Sequence, residues 1–176
     1  SVTFSANVSL PGQEPTLETA YAVNVTATYA TNITLVTPDW QHAAGITTVE
    51  LYKGTDFIQP IGLNDQEFEM VGGWDTVEAP EGAELPVHVA ATGGDNITLL
   101  GYGFDANLDY YCVFMGEVAQ GEATSPAYAP IDSKHLVCPA PAWGMHYASE
   151  SVNITIRVNG SLESTASHVL AYTADT

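Results

Sequence analysis

Polarity alternates residue by residue along most of this chain, and that period of two constrains its fold more than any other feature. In Tyr21-Ala22-Val23-Asn24-Val25-Thr26-Ala27-Thr28-Tyr29 the odd positions form the apolar set, and Asn24 falls on the other face. In Val152-Asn153-Ile154-Thr155-Ile156-Arg157-Val158-Asn159 the even positions are apolar and both asparagines point away. Segments of this kind, rich in Val, Ile, Thr and Tyr, read as strands with one face on a core. They recur near 2–10, 20–29, 32–37, 46–52, 66–71, 87–91, 96–101, 110–115, 135–138, 152–158 and 168–173, separated by Gly, Pro and Asp/Asn turns. Helical periodicity is nearly absent. Antiparallel sheets in sandwiches or barrels follow.

The charge narrows the partners. Among 176 residues, 3 Lys+Arg stand against 21 Asp+Glu, a formal net charge of −18. Nothing here neutralises phosphates and releases counterions, so nucleic acid is not an expected partner. An anionic membrane surface is disfavoured in the same way. No apolar run approaches the roughly 18 residues that span a bilayer, so no direct membrane insertion is expected. The acidity is not that of a disordered chain, because 45% of residues are apolar, 10% aromatic and only 14% charged. The length suits one large domain or two small ones, burying roughly two-thirds of the unfolded surface. The chain opens at Ser1 with no Met and no basic-then-apolar leader, and reads as processed or trimmed.

Six of the eight asparagines begin an N-x-[ST] triplet: Asn7, Asn24, Asn32, Asn96, Asn153 and Asn159. With 29 Ser and Thr in the chain, chance would supply about one or two. Ser/Thr-rich strands generate such triplets incidentally, but position separates the readings. Asn96 is out of phase with Ile97 and Leu99, and Asn32 with Ile33 and Leu35. A glycan is bulky and must sit in solvent, and every one of these sites permits it. The pattern indicates a secreted, extracellular eukaryotic glycoprotein carrying N-linked glycans.

The stretch Glu78-Ala79-Pro80-Glu81-Gly82-Ala83-Glu84-Leu85-Pro86 lacks periodicity and holds two prolines. It reads as a domain boundary, the alternative being a long loop within one domain. The expected organisation is an N-terminal strand (1–10), a linker (11–15), a first β-sandwich (16–78), a second linker (79–86) and a second β-sandwich (87–176).

In the second half, Gly93-Gly94-Asp95-Asn96-Ile97-Thr98-Leu99-Leu100-Gly101-Tyr102-Gly103-Phe104 resembles the signature GG-x-x-(I/V)-T-(I/V)-x-G-x-G-F of the IPT/TIG family. Those are immunoglobulin-like domains of plexins, fibrocystin-like proteins and many extracellular repeat proteins, and of some transcription factors. Tyr111-Cys112-Val113-Phe114 and Leu136-Val137-Cys138-Pro139-Ala140-Pro141 resemble the family's two cysteine strands, and Ser167-His168-Val169-Leu170-Ala171-Tyr172 its last strand. The resemblance covers about 90 residues, half the chain. Its usual glycine directly after the first cysteine strand's phenylalanine is displaced by Met115 to Gly116. Independently of the family, the glycines at 93, 94, 101 and 103 permit positive φ and close strand turns, and Phe104 can swing inward as a core plug. The resemblance implies an immunoglobulin-like sandwich over about 87–176, an adhesive or assembly role without catalysis, and a disulfide between Cys112 and Cys138. With the strands of the first half, the expected fold is all-β, two tandem immunoglobulin-like sandwiches. The DNA-contacting members are poor comparisons, since this half keeps only Lys134 and Arg157 as permanent cations.

Signals for chemistry are sparse. His42, His88, His135, His146 and His168 show no H-x-x-x-H spacing, and the cysteines form no C-x-x-C. No nucleophile elbow, P-loop or dinucleotide fingerprint occurs. His146, beside Trp143 and Tyr147, reads as a packed surface histidine rather than a pocket base. Asp65, Glu67 and Glu69 share one face of a strand and form a weak Ca²⁺ candidate, with a solvated face opposite Phe68 and Met70 as the plainer reading. No catalytic site, metal or other cofactor is expected.

The opening strand carries the functional expectation. Val2, Phe4, Ala6, Val8 and Leu10 alternate with small polar residues, and no charge precedes Glu14. A charge-free amphipathic edge is an aggregation hazard, so it must be paired. It is either the first strand of its own sandwich or a donor strand completing a neighbour's sheet. The two-proline linker and the few strands in 16–78 favour the neighbour. The expected function is therefore an extracellular structural protein, a homopolymer that builds a filament or surface layer by strand insertion. The alternative is a two-domain fragment of a receptor or adhesin ectodomain that binds a protein or glycan; an enzymatic accessory role ranks last.

Overall fold

The structure, a computed structural model, describes residues 1–29, 32–59, 66–78, 86–118, 120–158 and 161–173, with the backbone alone described at 28, 29, 32 and 161–170. The strands are β1 (Val2–Val8), β2 (Thr16–Tyr21), β3 (Val23–Tyr29), β4 (Asn32–Val36), β5 (Gly45–Lys53), β6 (Asp56–Phe57), β7 (Glu67–Met70), β8 (Gly73–Val77), β9 (Val87–Ala90), β10 (Asn96–Tyr102), β11 (Tyr110–Gly116), β12 (Glu122–Thr124), β13 (His135–Pro139), β14 (Ser151–Val158) and β15 (Ser161–Thr173). A 3₁₀ turn at Trp143–Met145 precedes β14. The chain is all-β, as its alternating polarity predicts.

The larger core lies between two sheets. One has the order β13-β10-β8 and the other β12-β11-β14-β15-β9. Ile97 and Leu99 of β10 and Leu136 of β13 face Phe114 of β11 and Ile154 and Ile156 of β14, all within one buried cluster. The apolar phase expected for 96–101 and 152–158 therefore lies on the core. Thr155, out of that phase, is also buried, at the middle of β14 between Val113 of β11 and Thr165 of β15, whereas Asn153 and Arg157 on the same face are half-buried. One pairing is parallel: Val87–Ala90 runs alongside Leu170–Thr173.

Two glycines show why the β10 sequence is so particular. A Cβ on Gly101 would stand 2.3 Å from the Gly73 carbonyl oxygen, at the register shift where β8 crosses β10. Gly103 has φ +76°, and a Cβ there would meet the Gly72 Cα at 2.8 Å. Phe104 then turns inward, 5% exposed, edge-on to Tyr110. The glycine displaced to 116 has its own cause. A Cβ at Gly116 would lie 2.5 Å from the Glu150 carboxylate, while β11 keeps an unbroken register with β14 through Met115.

The first part of the chain is built differently. A five-stranded sheet runs β2-β1-β5-β6, with β7 also on β5, and β3 pairs only with β4 in a separate hairpin. The buried core under this sheet is small: Val2, Phe4, Trp40 and Met70, with Ala22, between β2 and β3, and Leu35 of the hairpin packed partly against it. Phe4 meets Phe68 edge-to-face at 5.5 Å.

Three expectations change here. β1 is paired on both edges within its own chain, Phe4 opposite Ala20 of β2 and Val49 of β5, where a neighbour's sheet was expected to receive it. The reason is local: residues 9–15 are a hairpin turn rather than an open linker, with Gly12 at φ +73° and the Gln13 N–H donating to the Leu10 carbonyl at 3.0 Å. The first domain does not end at 78 as a separate unit, since β8 pairs with β10 and places Trp74 and Val77 in the larger core. Finally, the 20–29 run divides between β2 and β3, and its apolar residues Tyr21, Val23 and Val25 are exposed rather than inward. The expected linker at 79–86 lies outside the described residues except for Pro86.

Candidate interaction surfaces

Cys112 of β11 and Cys138 of β13 form a disulfide with Cα atoms 6.0 Å apart, joining the two sheets of the larger core. Both cysteines are buried. At the end of this core Trp143 stacks on Tyr172, packs on Tyr147 and donates from Nε1 to the Ala148 carbonyl at 2.9 Å. Burial drives the Tyr172 hydroxyl well above the usual tyrosine range, and the Asp95 charge adds to the shift. His146 is exposed, its ring 6.2 Å from that of Tyr147.

The acceptor asparagines are distributed over both parts of the chain. Asn7, Asn24 and Asn96 are exposed and Asn153 is half-buried beside Met115 on the central strand β14. Asn32 opens β4, with its side chain outside the described residues, and Asn159 lies outside them altogether. Asn24 has φ +52° at the register shift between Val23 and Thr26, a conformation that Asn tolerates better than most residues.

The two parts meet through short polar contacts. The Ala44 N–H donates to the Gly103 carbonyl at 2.9 Å, Ser133 Oγ to the Gln41 carbonyl at 2.6 Å and Asn107 Nδ2 to the Ser9 carbonyl at 2.8 Å. Lys134 Nζ reaches Asp39 at 3.3 Å. Beneath them lies a cleft of about 160 Å³ lined by Ala44, Gly72, Trp74, Phe104 and Tyr110 among others. Its best-placed hydroxyl, Tyr110 OH, accepts the Asp105 N–H at 2.8 Å. Alongside, burial pulls the Asp132 carboxyl upward, but the Lys134 N–H and the His135 ring and N–H outweigh it and hold the carboxyl below its usual value.

Of the weak Ca²⁺ candidate, Glu67 and Glu69 are exposed on β7 opposite Thr48 and Ile46, and Asp65 lies outside the described residues. Among the described residues no three His, Cys, Asp or Glu side chains converge on a common metal position. No described helix is long and apolar enough to cross a membrane.

Sequence reading missed the most conspicuous surface, the β3–β4 hairpin. Its apolar residues were assigned to a core because alternation reports two unlike faces, not what covers either one. Comparison with known proteins adds no name: no family model, curated protein or solved structure matches the chain.

Proposed function

We propose that this chain is a module of an extracellular, glycosylated adhesin or receptor, built on an IPT/TIG-like sandwich and acting by surface recognition rather than catalysis. The observation that carries the reading is the buried Cys112–Cys138 bond between two packed sheets, a cross-link that persists in oxidising compartments. Exposed acceptors at Asn7, Asn24 and Asn96 and the parallel β9–β15 pair agree with it. Peptide mapping of native material tests the reading. Sugar on at least three of the six acceptors, with no alkylatable thiol before reduction, is the expected result. Six bare asparagines together with two free thiols would defeat it.

Filament assembly through β1 is the second reading. Val2 and Phe4 supply two of the four buried residues of the first core, so the groove between β2 and β5 must be filled by some β1. A neighbour's copy fits that groove as well as the chain's own, by exchange across the 9–15 turn. Electron microscopy of native material separates the readings, since exchange produces long polymers that disappear on deleting residues 1–10.

A further inference from the structure

We infer that the β3–β4 hairpin is a homotypic interface, at which β4 of one copy pairs antiparallel with β4 of a second. The hairpin is a two-stranded sheet that pairs with no other strand among the described residues, and such a ribbon is marginal in water unless a third strand or a packed face supports it. Its support here is slight. Leu35 reaches the small core, but Val23 (52% exposed), Ile33 (43%) and Val36 (51%) face solvent. The outer edge of β4, unpaired among the described residues, carries no charge and no proline, two of the devices by which proteins protect exposed edges, while the irregularities of the ribbon lie on β3, between Val23 and Thr26 and between Ala27 and Tyr29.

Charge decides the occupant. Residues 19–38 contain no Asp, Glu, Lys, Arg or His, in a chain of net charge −18. One flanking acid, Asp39, is partly neutralised by Lys134 at 3.3 Å. A basic partner would be drawn to the acidic remainder of the surface. Two equally acidic copies meet with least repulsion through an uncharged segment of this kind. Antiparallel pairing of like strands is self-complementary about a two-fold axis, and with β4 spanning Asn32–Val36 that axis falls at Thr34. Asn24 lies on β3, clear of the joint, but the acceptor Asn32 opens β4 itself, so the pairing requires Asn32 to be bare or its sugar to project from the sheet face away from the shared edge.

This names a partner for the surface-recognition reading, yet its test is separate from the glycan and thiol mapping that decides that reading. Sedimentation of the full chain as secreted should show mass rising with concentration from one chain to two, with the dissociation constant falling severalfold as added salt screens the repulsion. Ile33→Glu combined with Val36→Glu should weaken the dimer more than about tenfold by placing desolvated charge in the joint. Both residues are exposed in the single chain, so the thermal transition should not move. Thr34→Cys should give a disulfide-linked dimer on oxidation, whereas Thr48→Cys, exposed on β5, should not. A monomer at every concentration and salt, a dimer seen only after deglycosylation, or a dimer indifferent to the double glutamate variant would each overturn the inference.

Discussion

Trp143 lies almost parallel to Tyr172, with ring centroids 5.2 Å apart and planes 11° apart. The stack fastens the 3₁₀ turn to the last strand, and Tyr172 OH donates onward to the Pro141 carbonyl at 3.2 Å. Trp143→Ala should cost about 3–5 kcal/mol in denaturant unfolding, because the indole is fully buried. Met145→Ala, on the same turn but largely exposed, should change stability by less than about 0.5 kcal/mol.

The same hydroxyl sets an alkaline limit. Its folded pKa is raised by burial first and by Asp95 second, so the folded state holds a proton that the unfolded chain releases above about pH 10. The corresponding stability is intact below pH 10 and declines as pH rises beyond it. Tyr172→Phe should flatten this decline in melting curves taken from pH 9 to 11. An equally steep loss in the variant would show that another group is responsible.

Cys112 and Cys138 are separated by 26 residues. By chain entropy alone the cross-link is worth about 3.5 kcal/mol. Cys112→Ala with Cys138→Ala should lower the unfolding free energy by roughly that amount plus any packing lost around the two buried sulfurs. Intact mass with and without reductant checks the bond directly: the two forms should differ by two hydrogens.

Phe4 anchors the smaller core, at 2% exposure. Phe4→Ala should destabilise that core by about 3–5 kcal/mol, while Ser5→Ala on the other face should cost little. Hydrogen exchange distinguishes a local effect from a global one. Faster exchange in β1, β2 and β5, with β10, β11 and β14 still protected, is expected. Uniform loss of protection would mean that the two cores unfold as one.

Glycine requirements separate two neighbouring positions. Gly94 and Gly103 both have positive φ, at +93° and +76°, but a Cβ at Gly94 meets nothing within 4 Å, whereas one at Gly103 strikes Gly72 and Ala44. Gly94→Ala should cost about 1 kcal/mol of backbone strain. Gly103→Ala should cost about 1–3 kcal/mol more through overpacking, and should loosen the Ala44–Gly103 hydrogen bond between the two parts. Equal melting temperatures for the two variants would argue that the junction yields freely.

Much of the larger core was legible residue by residue. Ile97 and Leu99, Ile154 and Ile156, Phe104, and the cysteine pair lie where period and resemblance placed them, since a strand flanked by others has little choice about which face it buries. Glu122–Thr124, three residues long, was too short for a periodic signal, and Gly73–Val77 was hidden because Gly72, Gly73 and Asp75 read as turn residues. The same alternation at Val23, Val25 and Ile33 indicated an inward face, yet these residues stand in solvent. Alternation is a property of the backbone pleat and follows from sequence alone. What lies against each face is long-range: which strand receives β1, which core takes β8, and what covers the β3–β4 hairpin depend on turns and pairings between distant segments. Sequence by itself therefore determined the all-β class, the disulfide partners and most strand positions. Only the tertiary structure decided that β1 closes its own sheet and that the charge-free hairpin pairs with no other strand among the described residues, because both outcomes rest on competition among edges that local patterning does not encode.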